Sequence, residues 1–266
     1  MHFPLNTPLG RMGIQNFQER PDRCVASVPV GGLINPLTGL PTVAPMAMLV
    51  DHIGGLTNHL RRGADEWTVS SELALELTPH AMELIAAQPD VPVLATSRPF
   101  GPVGTGSLCL CELTHGRQVV GTATVRSFYI QLPENVADWP DDPAEGEPPA
   151  TLQDRLAVEV AESGGATTVL RQLSDPVVNN SIGIVHGGVS ATALELVASA
   201  ALGGDADQPW RTGSLRVNYL RQFLGGTESR YEAKALRVGR RTGVADAQAI
   251  GDDGVVALTA RLTAYR

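Results

Sequence analysis

The stretch GIVHGGVSATALE, residues 183–195, answers GLPTVAPMAMLVD, residues 39–51, in one register. The shift of 144 residues that sets Glu195 on Asp51 also sets Gly183 on Gly39, Ala191 on Ala47, Thr212 on Thr68 and Ser214 on Ser70. Farther along, Thr259, Ala260 and Arg261 answer Thr124, Val125 and Arg126 at a shift of 135. The front copy therefore carries nine extra residues, which fall between His80 and Pro92, ahead of the next strand. Self-similarity at one offset indicates a duplicated architectural unit.

Each copy reads alike. A first strand, at 24–28 and again at 167–173, leads through a turn-rich loop into one helix, and several strands follow, ending at Tyr129 and Tyr265. The rear helix, 189–202, is small or apolar on most sides, as in Ala191, Leu194, Val197 and Ala201, so it is expected to be buried on most sides. The front helix, 45–60, starts on Pro45, where a missing N–H costs nothing, and repeats Leu49, Ile53, Leu56 and Leu60 at helical spacing. Alternating residues such as Leu215, Val217 and Tyr219 mark strands, and the turn 251–254 closes a hairpin. The packing that suits this order is an α+β fold of two tandem units, each a long central helix wrapped by an antiparallel sheet. The boundaries read as 1–132 for the front unit, 133–150 for an acidic, proline-rich linker that cannot bury apolar area, and 151–266 for the rear unit.

Composition narrows the function. A chain of 266 residues with 43% hydrophobic residues can build a real core. The net charge of −8 repels nucleic-acid and anionic membrane surfaces on average, so neither is expected as a partner. With no apolar run long enough to span a bilayer and no signal-like start, a cytoplasmic protein is expected. Cys24, Cys109 and Cys111 form no Cys-x-x-Cys pair and read as packing thiols, and the six histidines show no ligand spacing, so no metal is expected.

The chemistry concentrates in residues 180–195. Gly187 and Gly188 open a helix, where backbone N–H groups lack intrahelical acceptors and the absence of Cβ permits close approach. A carbonyl oxygen that gains negative charge on attack suits such donors. Asn180 can hold a carbonyl or a water, His186 can brace the loop or bond the substrate, and hydrolysis also requires a carboxylate as base or nucleophile. Glu195, nine residues beyond His186, lies ~13 Å along the helix and cannot serve its own glycine turn.

The Asn, Gly, His-Gly-Gly and helix acid at this spacing, with Thr212, residues 218–221 and Gly239, Arg240 and Arg241, resemble the phenylacetate-type branch of the hot-dog acyl-CoA thioesterases. That resemblance implies a double hot-dog fold, thioester hydrolysis, and an acid that reaches the glycine turn of the other unit. One site would then combine Asn180, His186 and Gly187 with Asp51 and Thr68. The other would set Glu195 and Thr212 against a degenerate loop, with Pro36, Thr42 and Val43 in place of Asn180, His186 and Gly187, Asn35 displaced by one position, and the Val43 side chain crowding the approach. Gly188, Arg240 and Arg241 are candidates to hold coenzyme A, which enters as part of the substrate; no separate cofactor is expected, and the assembly is expected to be a homodimer of double hot-dogs. A noncatalytic acyl-CoA binding module is the alternative. A hot-dog hydratase fits poorly, since Asp51 and His52 diverge by about 100° on a helix.

Overall fold

The computed structural model describes residues 1–137, 146–163, 167–203 and 208–266. Two sets of elements follow each other. The first is α1 (Pro8–Met12), β1 (Gln15–Arg20), β2 (Arg23–Val28), α2 (Pro45–His59), β3 (Glu66–Leu77), α3 (Ala81–Ala87), β4 (Val93–Phe100), β5 (Gly106–His115) and β6 (Gln118–Gln131). The second is α4 (Leu152–Leu156), β7 (Val158–Glu162), β8 (Thr168–Gln172), α5 (Gly187–Ala201), β9 (Arg211–Tyr219), β10 (Arg230–Val238), β11 (Thr242–Ile250) and β12 (Val256–Tyr265).

All strands form one antiparallel sheet in the order β1-β2-β4-β5-β6-β3-β9-β12-β11-β10-β8-β7. Read from either end, the order runs through equivalent strands to a central β3–β9 pair. There Leu73 faces Val217, its own equivalent 144 residues away, so a pseudo-twofold axis passes through that pair. This is the expected double hot-dog, with α2 and α5 packed together under the sheet. The repeat reaches farther forward than the sequence reading took it. Thr7 and Thr151, also 144 apart, each cap a short helix by accepting a backbone N–H. Each of those helices leads into an edge strand, β1 and β7, that the sequence reading missed. Short exposed strands with few apolar residues, such as Gln15–Arg20, carry little hydrophobic signal.

Most of the extra front residues fall between β3 and β4, where the seven-residue α3 lies. The proline-rich segment assigned to 133–150 lies in part outside the described residues; of its described ends, Ala137 donates its N–H to Ser181 O and Pro149 O accepts from Arg155. All three cysteines are buried and free. Among the described residues no helix is long and apolar enough to cross a membrane.

Close approach of α2 and α5 sets the geometry of everything that follows. A Cβ on Gly188 would lie 2.5 Å from the Met48 sulfur and 3.0 Å from Met48 Cα, so the helices meet through this glycine. Gly188, expected to help hold coenzyme A, is thus placed in the helix packing and lines neither cleft. Gly188→Ala is expected to force the helices apart at a cost of about 1–3 kcal/mol, lowering the melting temperature by several degrees in a thermal scan. A variant that melts with the wild type would show that the contact relaxes freely.

Candidate active site

Two clefts lie where a helix start of one unit meets the helix acid of the other. The larger, about 670 Å³, is lined by Asp51, Asn180, His186, Gly187, Thr68 and Tyr219, among others. The spacing inferred from sequence therefore meets in space: five expected residues line one cleft, drawn from both units.

Its loop is shaped by Asn180, whose Oδ1 accepts from Ile182 N–H (3.1 Å) and Ile184 N–H (3.3 Å). The carbonyl of Asn180 accepts from Gly183, which sits at φ +77°, a conformation that favours glycine. Asn180 Oδ1 is thus spent on folding the turn, and only its amide nitrogen remains for a guest. His186 then caps α5: its Nδ1 accepts from Gly188 N–H at 3.0 Å. A ring that accepts at Nδ1 carries its proton on Nε2. Burial pushes its pKa below the ordinary value, and nearby Asp51 only partly offsets this, so the ring is neutral. The 3.5 Å approach of His186 Nδ1 to Asp51 Oδ2 is accordingly a contact between two acceptors and not an ion pair. The Gly187 N–H, at the first helical position, finds no acceptor among the described residues.

Asp51 is buried and comes from α2 of the front unit. Its Oδ1 accepts from Ser70 Oγ at 3.0 Å and Tyr219 Oη at 3.2 Å. Its Oδ2 would lie 2.9 Å from a Cβ placed on Gly187, which puts the carboxylate directly against the glycine turn and leaves room there for no side chain. Thr68, expected beside the acid, is in the cleft but pairs with His59 Nδ1 at 3.1 Å, and Ser70 takes the place it was given. The cause is a bulge: β3 breaks register between Ser70 and Glu72, whereas the equivalent break falls in the rear unit at Gly213, between Thr212 and Ser214. The bulge sits two residues later in the front unit, so a second hydroxyl is turned inward.

Two further histidines line the same cleft. Burial lowers the His52 pKa to about 3, and its Nε2 bonds Asn16 Oδ1 at 2.8 Å; burial lowers His59 to about 4. Both are neutral. Arg240 and Arg241, expected to grip coenzyme A, are exposed in the β10–β11 turn and line neither cleft. The arginine that lines the larger cleft is Arg221.

The smaller cleft, about 280 Å³, is lined by Glu195, Thr212, Thr42, Val43, Asn35 and Ser199, among others. Glu195 accepts from Thr212 on Oε1 (2.5 Å) and from Thr42 on Oε2 (3.4 Å), and burial pushes its pKa up to about 7 against the hydroxyl hydrogen bonds. The loop is less degenerate than its letters imply. Asn35 accepts Leu37 N–H on Oδ1 and Gly39 N–H on its carbonyl, as Asn180 does with Ile182 and Gly183, and Gly39 has φ +71°. One added residue between Asn35 and Gly39 hid this equivalence, so Pro36 does not stand for Asn180. Thr42 Oγ1 accepts from Ala44 N–H as His186 Nδ1 does from Gly188. Val43, 3% exposed, is part of the wall of this cleft, where the larger cleft has Gly187. The differences that remain are volume and use: Asn35 spends its amide on Leu196 O and Ser199 Oγ, while Gly55, equivalent to Ser199, leaves the larger cleft open.

Residues 182–258 match the thioesterase superfamily. Among solved structures, the chain is similar to a TesB protein of Mycobacterium avium subsp. paratuberculosis (12% identity, 97% of each chain, TM-score 0.62) and to an acyl-CoA thioesterase II of Mycobacterium marinum (10%, 97% of each chain, 0.61). A conserved protein with a hot-dog fold from Alicyclobacillus acidocaldarius is also similar (14%, 94% of this chain and 95% of that one, 0.57). No curated protein matches the sequence. By fold the chain is thus a double hot-dog, and most of its rear unit, with the helix that opens on Gly187, carries the match to the thioesterase superfamily.

Proposed function

We propose that the chain is a thioester hydrolase acting on acyl-CoA at the larger cleft, with the smaller cleft inactive. The observation that carries this reading is the meeting of the Asp51 carboxylate of one unit with the glycine turn of the other, where a Cβ on Gly187 would lie 2.9 Å from Oδ2 and the Gly187 N–H has no acceptor among the described residues. A thioester carbonyl seated with its oxygen on the Gly187 N–H presents its carbon to Oδ2 of Asp51, or to a water held by it. Attack pushes the carbonyl electrons onto oxygen, where the fixed N–H at the positive end of α5 stabilises charge that the ground state lacks. In the water route, Asp51 takes the proton as the C–O bond forms. Collapse then breaks the C–S bond and the proton passes to the departing thiolate, leaving a carboxylic acid and coenzyme A. Asn180 Nδ2 and the His186 Nε2–H are the remaining donors for the acyl thioester. Arg221 is the cation placed to meet the phosphates.

Support for acyl-CoA as the substrate class comes from the thioesterase-superfamily match and from the motif letters of the phenylacetate-type branch; the full-length structural likeness is to tandem proteins instead. The proposal includes the unit boundaries 1–132 and 151–266 and a homodimer, for which sedimentation would give twice the 28.1 kDa chain mass. Release of free thiol from a panel of acyl-CoAs tests the activity directly. Thermal stabilisation by acyl-CoA without any thiol release would favour the noncatalytic binding module.

A further inference from the structure

We infer that Tyr219 is a positioning residue that fixes which oxygen of Asp51 faces the substrate; this rests on the hydrolase reading above. Tyr219 belongs to β9 of the rear unit and crosses the junction to reach an acid of the front unit. Its hydroxyl has one hydrogen and two acceptors in range, Asp51 Oδ1 at 3.2 Å and Gly187 O at 3.4 Å. The carboxylate is the nearer and the stronger acceptor. Ser70 donates to the same Oδ1 at 3.0 Å. Two donors on one oxygen leave Oδ2 without a protein donor among the described residues: its neighbours are His186 Nδ1, already used as an acceptor, and the glycine turn. Oδ2 therefore keeps its lone pairs for a water or a carbonyl carbon.

The second cleft shows what happens without this hydroxyl. Tyr219 is the equivalent of Leu75, on the same side of the axis pair Leu73–Val217, and Leu75 is fully apolar and 1% exposed. At Glu195 the two threonines divide, one on each carboxylate oxygen, so neither is reserved. A phenol placed where the repeat otherwise buries leucine is thus tied to the acid whose second oxygen stays open. Burial, and then Asp51 itself, push the phenol pKa well above its ordinary value, so it donates throughout the working pH range.

Tyr219→Phe keeps the ring and removes only the donor. A lost hydrogen bond to a charged group is expected to lower kcat about 10–100-fold. KM for an acyl-CoA that the wild type hydrolyses should stay within about twofold, because substrate contacts are untouched. Thermal melting establishes that the variant is folded. If it is not, Ser70→Ala removes the other donor on Oδ1 and is expected to give the same loss confined to kcat. A wild-type kcat, or a raised KM with kcat unchanged, would reduce Tyr219 to a wall of the cleft and overturn the inference. A wild-type protein that releases no thiol would instead sink the hydrolase reading itself.

Discussion

Asp51→Asn is expected to reduce acyl-CoA hydrolysis by roughly 10²–10⁴-fold in kcat while leaving the fold and substrate affinity nearly unchanged. Asparagine matches aspartate in size, and its carbonyl oxygen can still accept from Ser70 and Tyr219 at the Oδ1 position. That orientation puts an NH₂ where Oδ2 stood, against the glycine turn. An amide there cannot take a proton from water, nor attack a thioester. The Gly187 N–H survives, so some catalysis over the uncatalysed rate should remain. The matching substitution at the other cleft, Glu195→Ala, is expected to leave hydrolysis in place, because that cleft is less than half the volume and binds both oxygens of its acid to threonines. Steady-state thiol release from the two variants, with acyl-CoA binding measured separately, decides the matter. Intact hydrolysis in Asp51→Ala with none in Glu195→Ala would move the active site to the smaller cleft.

Why the site could be read from the sequence follows from what a repeat transmits. One offset of 144 residues revealed the duplication, and the resemblance to the hot-dog thioesterases implied that Asp51 meets the glycine turn of the other unit, as it does where α2 and α5 pack together. The same reasoning failed wherever the copies differ by a local insertion. A bulge two residues later in β3 turned Ser70 inward and handed it the role expected of Thr68. One added loop residue concealed that Asn35 folds its turn as Asn180 does. Neither shift alters composition or hydrophobic period, so pattern reading cannot see it. Tyr219 did leave a trace, a polar group where the other copy has Leu75, and alignment of the two copies strand by strand would have found it. Arg240 and Arg241 stand in an exposed hairpin turn outside both clefts, while Arg221 lines the larger one, a distinction of packing that the letters do not carry.

Glu195→Gln should stabilise the protein at alkaline pH, by about 3 kcal/mol at most, and the gain should fade in acid. Burial raises the Glu195 pKa from 4.5 to about 7, so between those values the folded chain holds a proton that the unfolded chain has released. Stability must then fall as pH rises from about 4.5 to 7, and above 7 the full shift, near 2.5 pKa units at about 1.36 kcal/mol each, counts against the folded state. Glutamine keeps an oxygen to accept from Thr212 or Thr42 and has no charge to desolvate, so it escapes that cost. At pH 8 its melting temperature is expected to lie roughly 6–10 °C above the wild type, and the two curves should converge near pH 4.5. A gap that stays constant with pH would mean that Glu195 titrates alike in folded and unfolded chains, and the buried acid of the smaller cleft would then be reached by water. A smaller stabilisation confined to the same pH window would keep the mechanism and shrink only the shift. The pH dependence, not the size of the effect, therefore tests whether this acid is sealed while its counterpart Asp51 faces an open cleft.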